Sequence, residues 1–233
     1  MLYPFEMKNA VCLLSGGLDS AVAGAEAKNK GYGIYALTFN YGQKHEKEVA
    51  AAMKLVRDLG VQEHKTIDLD LEGIFASALT GKGELPKERS WEDIKKQNEI
   101  PGTYVPARNT VFLSLALAYA ETRDCEAIYI GANAVDYSGY PDCRPKYFQK
   151  FQEMADLATK KAIEGKRIEI KTPLINDDKA EIVRRGIALG VDFSHTWSCY
   201  KGGDKACGRC DSCILRAAGF KKAGYKDPTI YEK

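Results

Sequence analysis

The sequence predicts an α/β protein built on a doubly wound, parallel five-stranded sheet with helices on both faces. Short apolar runs alternate with stretches of helical periodicity through most of the 233 residues, as in parallel strands joined by helices. A glycine-rich turn joins the first apolar run to the first helical stretch. An apolar fraction of 45% is sufficient for one packed core. Because ligands bind at the carboxyl ends of such strands, we expect functional residues in the segments that follow them.

The order of these runs predicts each element. Strands are short apolar runs, and helices have apolar residues three to four positions apart with a glycine or proline nearby. The predicted strands cover residues 11–14, 34–39, 65–69, 127–130 and 168–171. The predicted helices cover residues 19–30, 44–59, 109–122, 145–164 and 179–189. Residues 81–102 form a long, charged segment containing Pro86 and Pro101, so we expect a surface insertion or lid there.

The turn after the first strand has the composition of a phosphate-binding loop. Residues 15–20 read Ser-Gly-Gly-Leu-Asp-Ser, between an apolar run and an alanine-rich helix. Adjacent glycines let the backbone approach an anion, and the first amides of the helix lack partners inside it. The loop lacks the Lys-Ser or Lys-Thr pair of a Walker loop and the third glycine of a dinucleotide fold. The alternative is an ordinary turn in which Asp19 or Ser20 caps the helix.

Four cysteines close to the end of the sequence have the spacing of a metal site. They are Cys199, Cys207, Cys210 and Cys213, and the glycines between them permit tight turns. Four thiolates would complete the coordination of Zn²⁺, so we expect a structural zinc in a C-terminal region, residues 196–233. The alternative is an iron–sulfur cluster, because the last three cysteines match part of a ferredoxin-type run. Residues 1–195 form the predicted nucleotide-binding α/β domain.

Composition and charge exclude several classes of function. A formal net charge of +2 gives no basic surface of the kind that a dedicated nucleic-acid-binding protein needs, so we expect no nucleic-acid partner. No apolar run reaches the length of a membrane span, and residues 1–9 lack a signal-peptide core, so we expect no membrane partner. Seven cysteines without an export signal are typical of reduced thiols in the cytoplasm.

Five segments, in order, carry a resemblance to a known family. They are residues 15–20, 39–46, 105–109 and 131–144 and the cysteine cluster. The first resembles the loop of the ATP pyrophosphatase superfamily, and the five together resemble the 7-cyano-7-deazaguanine synthase family. The resemblance implies an adenine nucleotide α hydrolase-like fold, a homodimer and a carbon–nitrogen ligase. It implies that ATP drives the conversion of 7-carboxy-7-deazaguanine and ammonia to the nitrile in queuosine biosynthesis.

The resemblance implies an ATP site around the glycine loop. Backbone amides of the loop would hold the phosphates, Mg²⁺ would bridge them, and a basic side chain would meet their charge. The predicted ATP-binding residues are Leu14, Ser15, Gly16, Gly17, Leu18, Asp19, Ser20, Ala21 and Arg108. The alternative for Arg108 is an ordinary solvated cation.

Four residues are predicted to take part in catalysis. They are Asp19 and Ser15 in the loop, Lys179 at the start of a helix, and His45 after the second strand. Lys179 is placed to meet phosphate or adenylate charge, and its alternative is again a solvated cation. His45 is placed to bind the substrate carboxylate or to transfer a proton near neutral pH, and its alternative is a histidine that forms only a local hydrogen bond at a helix start.

The segment after the fourth strand is predicted to bind the guanine-like ring. That ring offers adjacent N–H donors on one edge, which a carboxylate accepts as two parallel hydrogen bonds. Asp136 and Asp142 are the candidates, with Tyr137 and Tyr140 placed to stack on the ring. Gln43 is a further predicted substrate-binding residue. The alternative is a simple turn, where aspartate, glycine and proline are common.

Two other functions remain open on the sequence alone. One is a tRNA-modifying member of the same superfamily, of the thiolase or lysidine type, which would need an RNA-binding surface that the charge does not provide. The other is a nucleotide-binding regulator without catalytic activity, because a fold does not determine a function.

Overall fold

The computed structural model of the chain describes residues 7–41, 46–69, 77–79, 100–135 and 139–232. The strands are β1 Asn9–Leu13, β2 Gly33–Asn40, β3 Glu63–Asp68, β4 Ala127–Tyr129 and β5 Glu169–Lys171. The α-helices are α1 Leu18–Asn29, α2 Glu46–Leu59, α3 Arg108–Thr122, α4 Pro145–Ala158, α5 Lys160–Ile163, α6 Lys179–Ala188 and α7 Asp211–Ala223. Short 3-10 helices lie at Pro141–Cys143 and Phe193–His195.

The five strands form one parallel sheet in the order β3-β2-β1-β4-β5. From β1 the chain proceeds outward through β2 to β3, and then returns to β4 on the other side of β1. The strand order therefore reverses between β1 and β4, where a crevice opens outside the carboxyl ends of both strands. The predicted fold class is confirmed, and this crevice is the position at which a ligand is expected.

The sheet is covered on both faces. Val11 and Leu13 of β1 pack into a cluster with Leu113 of α3 and Phe148 of α4. Ala10 and Cys12 of the same strand, with Leu14 just after it, pack on the opposite face with residues of α1 and α2. Successive strand side chains point to opposite faces, so a strand that is buried throughout must be apolar at every position. The run at 10–14 satisfies this requirement.

The predicted helix at 145–164 is interrupted. Thr159 has an extended backbone, with φ −107° and ψ 140°, and separates α4 from α5. Its side-chain oxygen accepts a hydrogen bond from the amide of Ala162 at 3.3 Å and donates one to the carbonyl of Ala155 at 3.0 Å. A threonine that caps a new helix turn competes with continuation of the old helix. The single-helix prediction was therefore wrong at this residue.

The region after residue 195 contains a helix that the sequence analysis did not predict, α7. Phe220 of α7 packs with Val22 of α1 and Ile182 of α6, so the region shares an apolar cluster with two helices of the predicted α/β domain. A domain boundary at 195 stays a prediction. Of the predicted insertion at 81–102, only residues 100–102 lie within the described chain. All helices in the described ranges are too short or too polar to cross a lipid bilayer.

Candidate active site

The glycine loop joins β1 to α1 by a turn that requires glycine. Gly16 has φ +87°, and a Cβ there would overlap the carbonyl oxygen of Glu48 and lie 2.9 Å from the amide nitrogen of Ala52. The loop is therefore packed directly on the backbone of α2. Gly17 is the N-cap residue of α1, and no side chain caps this helix. The alternative in which Asp19 or Ser20 is the cap is wrong, and the first amides of α1 lack a side-chain acceptor.

Hydrogen bonds within the loop fix its shape. The buried hydroxyl of Ser20 donates to the carbonyl of Gly17 at 2.9 Å and accepts from the amide of Ser15 at 3.2 Å. The amide of Gly17 donates to the hydroxyl of Ser15 at 3.3 Å. Both serines therefore hold the backbone of the turn in place. A loop ordered in this way needs little rearrangement to bind an anion.

Lys179 lies over the loop and pairs with Asp19. Its ammonium donates to both carboxylate oxygens of Asp19, at 2.8 and 2.9 Å, and the two side chains are 12% and 28% exposed. Lys179 is the first residue of α6, which begins with a capping box formed by Asp178 and Glu181. The solvated-cation alternative for Lys179 is wrong, because the side chain is held in an ion pair. A positive charge is thereby fixed beside the open amides of α1.

Arg108 forms part of an aromatic wall. Its guanidinium donates to the hydroxyl of Tyr41 at 3.1 Å and lies 5.8 Å from the centre of that ring and 6.0 Å from the centre of Phe112. Phe112 stacks on Phe39 with ring centres 4.1 Å apart. A guanidinium held by a hydroxyl and two rings is positioned rather than freely solvated. The solvated-cation alternative is wrong for Arg108 as well.

Asp142 has a structural contact at the start of α3. One of its carboxylate oxygens accepts from the amide of Asn109 at 2.9 Å, and the side chain of Asn109 donates back to the carbonyl of Asp142 at 3.0 Å. The same amide group donates to the thiol of Cys143 at 3.3 Å. Burial raises the pKa of Cys143 to about 11, so it is a neutral thiol at physiological pH.

These groups surround one cavity of about 280 Å³ at the carboxyl ends of β1 and β4. Its walls include loop residues, the Asp19–Lys179 pair, Arg108 with its aromatic neighbours, Glu48, Tyr140 and Cys143. The cavity combines uncapped helix amides, aromatic rings and three cationic side chains, those of Arg108, Lys179 and Arg216. Such a combination suits a ligand that has both phosphates and a planar ring.

A family model described as queuosine biosynthesis protein QueC matches residues 9–224. The chain belongs to this family. The 7-cyano-7-deazaguanine synthase of Desulfatibacillum aliphaticivorans is 56% identical over 97% of this chain and 97% of that protein. The synthase of the same name from Geobacter sp. strain M21 is 54% identical over 97% of this chain and 99% of that protein. The solved NMN synthetase from Francisella tularensis has a TM-score of 0.49 at 17% identity, covering 95% of this chain and 79% of that one.

The predicted family is thus confirmed, and the chain brings many of the predicted site residues together. The predicted residues that line the cavity are Leu14, Ser15, Gly17, Leu18, Asp19, Ser20, Arg108, Tyr140 and Lys179. Gly16, Ala21 and Asp142 are not among the lining residues, and Ala21 is a buried residue of α1. Gln43, His45, Asp136 and Tyr137 lie outside the described residues. The functional roles given to all these residues stay predictions.

The four cysteines close to the end of the sequence form a cluster that could hold a metal ion. Their sulfur atoms lie within 4.8 Å of one another, and all four residues are buried: Cys199, Cys207, Cys210 and Cys213. Amides of Cys207 and Lys201 donate to the sulfur of Cys199 at 3.3 and 3.4 Å. Hydrogen bonds of this kind favour the thiolate form, and those from Cys210 and Cys213 lower the pKa of Cys199. The predicted metal-binding cluster is therefore assembled.

The cysteine cluster is attached to the glycine loop. The amide of Trp197 donates to the carbonyl of Gly16 at 2.9 Å, and the indole of Trp197 donates to the carbonyl of Cys199 at 3.0 Å. Arg216 of α7 is 2% exposed and donates to both carboxylate oxygens of Asp227, to Thr196 at 2.7 Å and to Phe193 O at 3.0 Å. Residues 193–197, which lead to the first cysteine of the cluster, are therefore held by the glycine loop through Trp197 and by Arg216 through Phe193 and Thr196.

Two glycines of the QueC site were missed by the sequence analysis as site residues. A Cβ at Gly131, after β4, would lie 2.6 to 2.7 Å from backbone atoms of Asp19 and Ser20. A Cβ at Gly219 of α7 would lie 2.5 Å from Cγ of Lys179. Both contacts join segments that are distant in sequence, so no local pattern marks them. Gly131 lies within one of the five segments that carried the resemblance, which is the only signal available.

Proposed function

We propose that this protein uses ATP to convert 7-carboxy-7-deazaguanine and ammonia into 7-cyano-7-deazaguanine. Membership of the QueC family and relatives of that name, at 53–56% identity over nearly the whole chain, support the substrate. The observation that carries the proposal is the single cavity in which the glycine loop, Lys179 and Arg108 converge. We assign the protein to the ATP-dependent carbon–nitrogen ligases on this basis.

Activation of a carboxylate explains why ATP is needed. An oxygen of the substrate carboxylate attacks the α-phosphorus of ATP, the bond to the β-phosphate breaks, and pyrophosphate leaves. Ammonia then attacks the carboxyl carbon, loses a proton and displaces AMP, which gives an amide. Removal of the remaining oxygen requires a second activation by ATP at the amide oxygen. In each activation, loop amides and Lys179 stabilise negative charge on the phosphates.

Asp19 keeps Lys179 in position for this task. The carboxylate of Asp19 accepts two hydrogen bonds from the ammonium of Lys179 and so fixes the direction of that side chain. Ser15 and Ser20 fix the backbone of the glycine loop by their own hydrogen bond. Arg108, which lines the same cavity, meets adenylate or phosphate charge. Mg²⁺ bound to the phosphates would neutralise part of their charge. The loop residues 14–21 are proposed to hold the nucleotide.

Among the described residues, Tyr140 is the proposed contact for the guanine-like ring. It lines the cavity, and its hydroxyl is 2.6 Å from the hydroxyl of Thr103, which fixes the ring. Asp142 has one carboxylate oxygen engaged by Asn109, so it supports the wall on which a ring would lie. Asp136, Tyr137, Gln43 and His45 remain proposed substrate contacts outside the described residues.

We propose Zn²⁺ as the metal of the cysteine cluster. A Zn–S distance of about 2.3 Å puts the sulfurs of a tetrahedral site about 3.8 Å apart, which fits a cluster whose sulfurs lie within 4.8 Å. A four-iron cluster holds its cysteine sulfurs at a wider spacing. Bound zinc would crosslink the cluster and stabilise the segment that contacts the glycine loop. Metal analysis and the absorption spectrum of the purified protein distinguish the two metals.

A cytoplasmic homodimer completes the proposal. None of the seven cysteines, which all lie within the described residues, forms a disulfide, and this suits a reducing compartment. Dimerisation rests on the resemblance to the synthase family. Light scattering of the purified protein tests the dimer directly.

The reaction is tested with purified protein, 7-carboxy-7-deazaguanine, ammonium, Mg²⁺ and ATP. We expect a product with the mass of the nitrile, with AMP and pyrophosphate released. Pyrophosphate release that depends on bulk tRNA, with no nitrile, would favour a tRNA-modifying enzyme instead. ATP binding without pyrophosphate release from any of these mixtures would favour a nucleotide-binding regulator.

A further inference from the structure

Glu48 is an acidic residue of the cavity to which the sequence analysis gave no role. It lies in the first turn of α2 and lines the cavity together with Tyr41 and Arg108. Its backbone carbonyl is the group against which Gly16 packs, so its position relative to the glycine loop is fixed. The residue is partly buried and its side chain reaches the cavity.

The carboxyl group of Glu48 lies in an environment that favours its neutral form. Burial raises the pKa of Glu48 to about 7, although the charge of Arg108 acts in the opposite direction. The charged and titratable groups of the described chain that act on it are Arg108 of α3 and the hydroxyl of Tyr41 at the end of β2. Lys47, its neighbour on α2, forms an ion pair with Asp204. Glu48 thus changes charge near neutral pH.

The other ionisable groups that line the described cavity are already engaged or protonated. Both oxygens of Asp19 accept hydrogen bonds from Lys179. Burial raises the pKa of Cys143 to about 11 and raises that of Tyr41 further above its usual value. Among the described residues, none forms a hydrogen bond or ion pair with the side chain of Glu48. It is therefore the carboxylate available to exchange a proton with a ligand.

We propose that Glu48 is the general base for the attack of ammonia, an inference that rests on the proposed function. As the nitrogen bonds to the carboxyl carbon of the acyl adenylate, one N–H proton passes to a carboxylate oxygen of Glu48. The bond from that carbon to the AMP oxygen then breaks and AMP leaves with the bonding electrons. An ionised Glu48 also attracts ammonium and removes its proton, which delivers the neutral nucleophile.

The step is isolated by two substrates. Formation of the amide from 7-carboxy-7-deazaguanine consumes ammonia, whereas formation of the nitrile from the amide does not. We expect Glu48→Gln to slow the first reaction by about 100-fold or more, the usual contribution of a general base. We expect nitrile formation from the amide, and the affinity for ATP, to stay close to those of the wild type. Glu153→Gln, in an exposed ion pair on α4, is the matched control with no effect on either reaction.

The pH profile provides a second readout. At a fixed concentration of free ammonia, the wild-type rate should rise with pH and reach half its plateau near pH 7, because only the ionised carboxylate accepts a proton. Glu48→Gln should lose this rise, and Glu48→Asp should retain it with a lower plateau. If Glu48→Gln does not fold, the profile of Glu48→Asp decides the question.

Three results would overturn the proposal. The first is an unchanged rate and pH profile in Glu48→Gln. The second is an equal loss of rate in that variant with the carboxylic acid and with the amide as substrate. The third is a tenfold loss of ATP affinity in the same variant. An absence of nitrile from the wild-type protein would instead refute the proposed function, so the two failures are distinguishable.

Discussion

Replacement of Gly16 by alanine tests how closely the glycine loop is packed against α2. Gly16 has φ +87°. A Cβ added at this position would overlap the carbonyl oxygen of Glu48 and come within 2.9 Å of the amide nitrogen of Ala52. Both obstacles are backbone atoms of a helix, so no side-chain rotation relieves the contact. The loop and α2 must move apart.

The matched control is Gly31→Ala. Gly31 has φ +81°, nearly the same backbone conformation, and a Cβ there would meet nothing within 4 Å. The left-handed conformation costs a residue with a Cβ about 1–2 kcal/mol, and both variants incur that cost. Forced overpacking adds about 1–3 kcal/mol, which applies only at Gly16. We therefore expect Gly16→Ala to be less stable than Gly31→Ala by about 1–3 kcal/mol.

The measurement is urea unfolding of both variants and the wild type, combined with calorimetric titration of ATP. We expect Gly31→Ala to bind ATP as the wild type does, and Gly16→Ala to bind at least about tenfold more weakly, because the amides of the loop are displaced. Equal stability of the two variants, or normal ATP binding by Gly16→Ala, would refute the described packing of the loop.

Three further predictions concern the charged pair and the cysteines. Lys179→Met should lower turnover by about 100-fold or more while the protein stays folded, because the variant lacks the fixed cation that stabilises negative charge on the phosphates. Near wild-type turnover in a steady-state assay would exclude this role for Lys179. Cys210→Ser should yield protein with less than one equivalent of metal, a lower melting temperature and weaker ATP binding, since Trp197 joins the cluster to Gly16. Metal analysis and calorimetry check this prediction. A metal-free variant with normal ATP binding would contradict it. Cys143 should resist alkylation by iodoacetamide at pH 7, because burial raises the pKa of its thiol to about 11. Rapid alkylation of this residue in a mass-spectrometric time course would contradict its burial.

The cysteine cluster and the nucleotide site form one connected structure. Trp197 contacts both the loop and the cysteine segment, while Arg216 holds the same segment to the chain after α7. Arg216 is buried with a carboxylate partner, Asp227, so loss of either group would leave an uncompensated charge inside the protein. A metal distant from the reacting atoms would therefore affect nucleotide binding through packing.

The features that local sequence determines were predictable. The run at 10–14 is apolar at every position because β1 is covered on both faces, and Gly16 follows because the loop must approach α2. The same holds for the cysteine cluster, whose ligands are close in sequence. Asp19 was predicted from the glycine loop and its resemblance, and Lys179 from its place at a helix start, although their pairing joins residues 160 positions apart.

The features that long-range packing determines were not predictable. Asp142 sits in a segment rich in turn-forming residues, and only its contact with Asn109 shows that it supports α3. Glu48 occupies a charged stretch of an amphipathic helix, where glutamate is ordinarily solvated. Its raised pKa depends on burial beside residues of β2 and α3, which the sequence does not place next to it. The helix α7 was overlooked because the cysteines dominated the interpretation of that region.

Transfer of heavy oxygen from the substrate tests the central claim most directly. If the cavity at the glycine loop activates a carboxylate by adenylation, substrate labelled with heavy oxygen in its carboxylate will yield AMP that carries one labelled oxygen. Pyrophosphate from the same reaction will be unlabelled. Mass spectrometry of the nucleotide products gives the answer. Unlabelled AMP, or label found in inorganic phosphate or pyrophosphate, would contradict attack at the α-phosphorus and the assignment of this site.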